Sequence, residues 1–154
     1  MSSPWRQRYH FMPPAGWMND PNGLIHYGGY YHLFYQHNPF GPQWGPMHWG
    51  HARSRDLVHW EHLPIALAPS EPYDLHERGG CFSGSAVESD GLLYLFYTGC
   101  TFEDGQLRQS QCMAYSDDGV TFHKYPGNPV IPGPPLDGSP DFRDPKVWRH
   151  GDSW

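Results

Sequence analysis

Two aspartates that each precede a proline, Asp20 and Asp144, are the residues of this 154-residue chain best placed for paired-carboxylate chemistry. They stand 124 positions apart, and 124 is twice 62, the interval at which the rest of the sequence repeats. Leu33-Phe34-Tyr35 returns as Leu95-Phe96-Tyr97. Ala52, Ser54, Asp56, Val58, Trp60 and Pro64 return as Ala114, Ser116, Asp118, Val120, Phe122 and Pro126. The acids therefore hold equivalent places in the first and third copies of one unit. Units set around an axis would bring the two carboxylates to a common centre, the geometry of an active site.

The elements that must position them can be read from the same repeat. Each unit opens with a Gly- or Pro-bearing turn (19–23, 81–85, 143–145), followed by a short strand at 24–27, 86–88 and 146–149. A Gly turn leads to an aromatic strand at 30–36 and 92–98, apolar enough to be covered on both faces. A third strand covers 48–54 and 111–116. A Ser-x-Asp turn then leads to a fourth strand at 60–63 and 122–125. Longer loops fall at 43–47 and 102–109. Four short antiparallel strands per repeat is the plan of a propeller blade. No sustained 3.6-residue apolar pattern supports a helix. The units run from about 17 to 78, 79 to 140 and 141 to 154. The expected fold is thus all-β, an incomplete β-propeller of two four-stranded blades plus one strand of a third. Such an open ring predicts a fragment of a larger domain whose remaining, C-terminal blades lie outside the chain.

Composition narrows the class. Gly (18) and Pro (17) make up about 23% of the chain against roughly 12% in average usage, and aromatics reach 16%. That combination argues for a turn-rich all-β protein and against disorder. A formal net charge of −6 gives no basic surface for nucleic acid. No apolar stretch approaches the roughly 20 residues of a membrane span. The first nine residues lack the apolar segment of a secretory signal, and Cys81, Cys100 and Cys112 read as free thiols in a reducing compartment, so a cytoplasmic location is expected. The His48/His51 and His59/His62 spacings lack companion ligands, so no metal is expected, and no organic cofactor is implied.

Four blocks carry the chemistry: Trp17-Met18-Asn19-Asp20-Pro21-Asn22-Gly23, Leu33-Phe34-Tyr35-Gln36-His37-Asn38-Pro39, Phe82-Ser83-Gly84-Ser85 and Phe142-Arg143-Asp144-Pro145-Lys146-Val147-Trp148. In this order they resemble the conserved blocks of the glycoside hydrolase family of invertases, sucrose-6-phosphate hydrolases, inulinases and levanases. The loop Trp44-Gly45-Pro46-Met47-His48-Trp49-Gly50-His51 is similar to that family's tryptophan-bearing loop. The resemblance spans Met12 to Trp154 and implies the N-terminal portion of a five-bladed propeller acting on terminal β-D-fructofuranosides such as sucrose or sucrose 6-phosphate.

It also implies roles. Asp20 matches the nucleophile and Asp144 the transition-state stabiliser, while Trp17, Met18, Asn19, Gln36, Trp44, Phe82, Ser83 and Arg143 match positions around the sugar. Carboxylate attack at the anomeric carbon gives a covalent glycosyl-enzyme that water resolves with retention. Indoles suit the apolar face of a sugar ring, with Trp17, Trp44 and Trp49 as candidates. Trp60, repeated as Phe122, reads as blade core, and Asp56 and Asp118 as turn formers. Arg143 could pair with Asp144 or bind sugar hydroxyls, since neighbours on a strand point to opposite faces. The family's acid, a Glu followed by Cys downstream of Arg-Asp-Pro, has no match here. The chain alone is therefore expected to fold poorly and to show little or no sucrose hydrolysis. The alternatives are a fructosyltransferase of the same fold and a non-catalytic carbohydrate-binding fragment.

Overall fold

The computed structural model describes residues 4–154. Among them the regular structure is all strand: β1 (Trp17–Tyr27), β2 (Tyr30–Asn38), β3 (His48–Ser54), β4 (Trp60–Leu67), β5 (Gly80–Ser89), β6 (Leu92–Glu103), β7 (Gln106–Ser116) and β8 (His123–Lys124). They form two antiparallel four-stranded meanders, β1-β2-β3-β4 and β5-β6-β7-β8, which are blades of a β-propeller. No helix among the described residues is long and apolar enough to cross a membrane.

The repeat is visible in the register. Leu33 faces Ala52 in blade one and Leu95 faces Ala114 in blade two; Gln36 faces Trp49 where Thr98 faces Gln111. Tight turns join the inner strands. Gly28-Gly29, Asp90-Gly91 and Asp104-Gly105 all have positive φ at both residues, the type I′ geometry whose twist matches that of a hairpin. Ser54 and Asp56, and again Ser116 and Asp118, close the turn before the outer strand. Asp56 accepts the N–H groups of Val58 and His59, and Asp118 those of Val120 and Thr121. The His59 imidazole, followed by these backbone N–H groups, holds Asp56 well below the usual carboxylate range, and the N–H groups of Thr121 and Val120 do the same for Asp118.

The core lies between the blades. Phe34, Trp49 and Leu67 of the first pack against Cys81, Leu93, Leu95 and Tyr97 of the second. Phe122 packs on this cluster, whereas Trp60 stands half-buried against Phe11. The connection after β4 is pinned by Asp74, fully buried, which accepts from Ser70 N, Glu71 N and Tyr97 Oη and pairs with Lys124 of β8.

Four expectations need correction. The turns at 19–23 and 81–85 are the opening halves of long strands, because bulges absorb their irregular residues within a continuous ladder. The loop at 102–109 is a hairpin tip: β6 and β7 stay paired to Glu103 and Gln106 around Asp104-Gly105. The outer strand of blade two is only His123–Lys124. Residues 146–149 join no ladder, and the Val147 N–H donates instead to the Ser85 hydroxyl.

Candidate active site

Asn19, Asp20, Gln36, Trp44, Met47, Phe82, Ser83, Arg143 and Asp144 line one cavity of about 170 Å³ at the start of β1 and β5. Three pairs of adjacent residues (19–20, 82–83 and 143–144) reach the same space, which regular strand alternation forbids. Each pair sits where alternation is broken. Asn19 and Asp20 together oppose Gln36, one extra residue between the Met18–His37 and Pro21–Tyr35 pairs. Ser83 is the extra residue between the Phe82–Thr98 and Gly84–Tyr97 pairs. Asp144 has φ of 60°, a left-handed conformation uncommon outside glycine though aspartate is among the residues that tolerate it.

The two acids sit in different surroundings. Both are exposed at the cavity mouth, but Asp20 accepts a hydrogen bond from Ser83 Oγ at Oδ2, 3.2 Å away, so the bulge on β5 orients the carboxylate presented by the bulge on β1. Asp144 has its pKa raised above 3.8, chiefly by desolvation; the charge of Arg143 lowers it and that of Asp20 raises it. Arg143 does not hydrogen-bond Asp144; its guanidinium pairs with Asp141. Its nearby positive charge still offsets part of the cost of two neighbouring carboxylates.

The cavity walls rest on buried hydrogen bonds. Gln36 Nε2 donates to Cys81 O at 2.9 Å, and Trp49 Nε1 donates to Phe82 O at 3.0 Å. Trp49 is fully buried, so it supports the wall and presents no face to a sugar. Trp44 is half exposed at the rim, its ring 6.3 Å from Phe82. Trp17 and Met18 begin β1 but do not line the cavity, and the Trp17 carbonyl lies 2.9 Å from His37 Nδ1. Met47 lines the cavity and was not picked out from the sequence; its only signal was membership of the Trp44–His51 loop. Its backbone bridges to Gly79 O and Cys81 N. Gly80 has φ of 120°, and a Cβ there would lie 2.4 Å from Met47 O, so the approach needs glycine.

A larger depression of about 580 Å³ lies between the β6–β7 tip and the proline-rich segment 129–140. Its one carboxylate, Glu103, is paired with Arg108, so it offers no second acid for paired-carboxylate chemistry. Among the described residues no group of three or more His, Cys, Asp or Glu could hold a metal ion. His51 stacks on Phe34, with Nε2 2.9 Å from His32 Nδ1, while His59 pairs with Asp56. All three cysteines are buried free thiols, their pKa values raised by burial.

Residues 10–154 match the family model described as the glycosyl hydrolases family 32 N-terminal domain. The chain is 52% identical to a sucrose-6-phosphate hydrolase of Zymomonas mobilis, an alignment covering 100% of this chain and 30% of the relative. Among solved structures, a Bombyx mori family 32 β-fructofuranosidase is 50% identical with a TM-score of 0.85, over 96% of this chain and 31% of that one. The sucrose-6-phosphate hydrolase of Lactobacillus gasseri is 40% identical with a TM-score of 0.88, over 97% and 30%. The chain thus spans about a third of the length of these relatives.

Proposed function

The chain belongs to glycosyl hydrolase family 32, and from that premise we propose that it carries the fructosyl-binding half of a retaining β-fructofuranosidase site. The observation that supports this most is the single cavity into which Asp20 and Asp144 both open. Asp20, oriented by Ser83, attacks the anomeric carbon of a terminal β-D-fructofuranoside. The bond to the leaving sugar oxygen breaks as a fructosyl ester forms, and water then resolves the ester with net retention. Asp144 faces the oxocarbenium-like transition state as an anion, favouring the positive charge that develops there. The substrate is sucrose or its 6-phosphate, in keeping with the names of the relatives.

The leaving oxygen must take a proton from a third acid. No other carboxylate among the described residues lines the cavity, so we assign that acid to a residue outside this chain and expect the 154 residues alone to show no sucrose turnover. The test uses the full-length protein that carries this sequence. Asp20→Ala should lower kcat by at least about 10⁴-fold while sucrose still binds. Acid-quenched turnover of the parent should leave a fructosyl adduct on the peptide containing Asp20, detected by mass spectrometry. Turnover surviving the substitution, or an adduct on a different residue, overturns the assignment.

A further inference from the structure

Residues 142–147 run beside blade two without joining a ladder, and side chains take the place of a neighbouring strand. Phe142 N–H donates to Gln109 Oε1 at 2.7 Å, and Gln111 Nε2 donates to Phe142 O at 2.8 Å. Two glutamine amides thus satisfy both backbone polar groups of one residue. Thr98 Oγ1 accepts the Asp144 N–H at 3.1 Å and donates to Gln111 Oε1 at 2.8 Å. Thr98, Gln109 and Gln111 are all buried. Leaving such groups unpaired in the interior is costly, so the bracket holds the segment in one place.

The repeat shows that this is a built feature. Subtracting 62 from Thr98, Gln109 and Gln111 gives Gln36, Met47 and Trp49. Those three hold the equivalent stretch of the next blade: Gln36 through Cys81 O, Met47 through Gly79 O and Cys81 N, Trp49 through Phe82 O. The same three positions work at both junctions, but at the second Gln109 and Gln111 hold Phe142 while Thr98 holds Asp144. A left-handed φ at a non-glycine residue persists where its surroundings over-determine it. The bonds to Phe142 and to Asp144 N–H supply that constraint.

We propose that Thr98, Gln109 and Gln111 are positioning residues that fix the Asp144 carboxylate in the cavity through the backbone of residues 142–144. This rests on the reading of Asp144 as transition-state stabiliser. Thr98→Val in the full-length protein removes the hydroxyl at constant volume, Gln111→Met removes both amide bonds at similar length, and Thr98→Ser restores the hydroxyl. Thr98→Val and Gln111→Met should each lower kcat by about 10-fold or more, with KM changed by less than about threefold, and Thr98→Ser should recover kcat to within about threefold of the parent. If Thr98→Val does not fold, Gln109→Met gives the same readout. It removes one acceptor from an amide whose nitrogen has no partner among the described residues. The inference is overturned if the bracket variants keep kcat within about twofold of the parent, or if Thr98→Ser is as impaired as Thr98→Val. Asp144→Asn separates the two readings. Unchanged turnover there defeats the role of Asp144, whereas lost turnover beside silent bracket variants defeats only the bracket.

Discussion

The junction from blade one to blade two and the junction from blade two onto residues 142–147 occupy equivalent places but are made of different material. At the first, the Met47 backbone lies directly against Gly80, and a buried indole completes the contact inside the hydrophobic core. At the second, hydroxyl and amide side chains make the contact. Backbone against backbone with apolar packing gives stability and leaves little freedom. A side-chain bracket lets the held segment adopt a conformation that a ladder would not permit, which Asp144 requires.

The sharpest way to break this contrast is at Gly80. Gly80→Ala should destabilise the folded protein by about 3 kcal/mol or more, read by urea unfolding, because Cβ meets the Met47 backbone in a left-handed region. An unchanged unfolding midpoint would remove the distinction between the junctions. Lys124→Met comes next, at about 3 kcal/mol, since it leaves the buried Asp74 carboxylate without its cation on the connection between the blades. Trp49→Phe removes the donor to Phe82 O and some packing, costing about 1–2 kcal/mol. Compared with Thr98→Val, it should lower the unfolding midpoint more and kcat less; the reverse order would mean that both junctions serve the same purpose.

The smallest effect concerns pH. Removing Arg143 takes away the charge that lowers the Asp144 pKa, so the neutral carboxyl gains and the anion appears only at higher pH. Arg143→Met should therefore move the acidic limb of kcat/KM to higher pH, on top of any loss of binding. A limb that stays put, or moves down, would show that a different group sets it.

Much of this was legible because hydrophobic pattern and turn chemistry act locally. Leu33-Phe34-Tyr35 and Leu95-Phe96-Tyr97 announced the second strands, and Ser54/Asp56 with Ser116/Asp118 announced the turns. Asn19, Asp20, Gln36, Trp44, Phe82, Ser83, Arg143 and Asp144 do share one cavity. What escaped depends on exceptions to period two. A proline after Asp20 reads as a turn, whereas the structure keeps the strand and inserts a bulge. Asp104-Gly105 is a hairpin signal embedded in a polar stretch, so sequence pattern alone reads 102–109 as a loop. Trp49 looked like a sugar platform because an indole serves in a core equally well. The roles of Gln109 and Gln111 lay outside local reasoning, since an amide's partner some 30 residues away leaves no periodic trace.

The meander order of each blade also has a consequence for how the protein is made. Every ladder joins strands adjacent in sequence, so closing each blade spans only short loops and costs little chain entropy. Blade one can assemble while blade two is still being synthesised, and blade two can then dock on its apolar face. The segment bearing Asp144 follows, and its receptor of threonine and glutamine side chains is complete only once β6 and β7 have paired. Ribosomal order therefore matches catalytic assembly: the carboxylate proposed to attack is in place first, and its partner is seated on a scaffold already built.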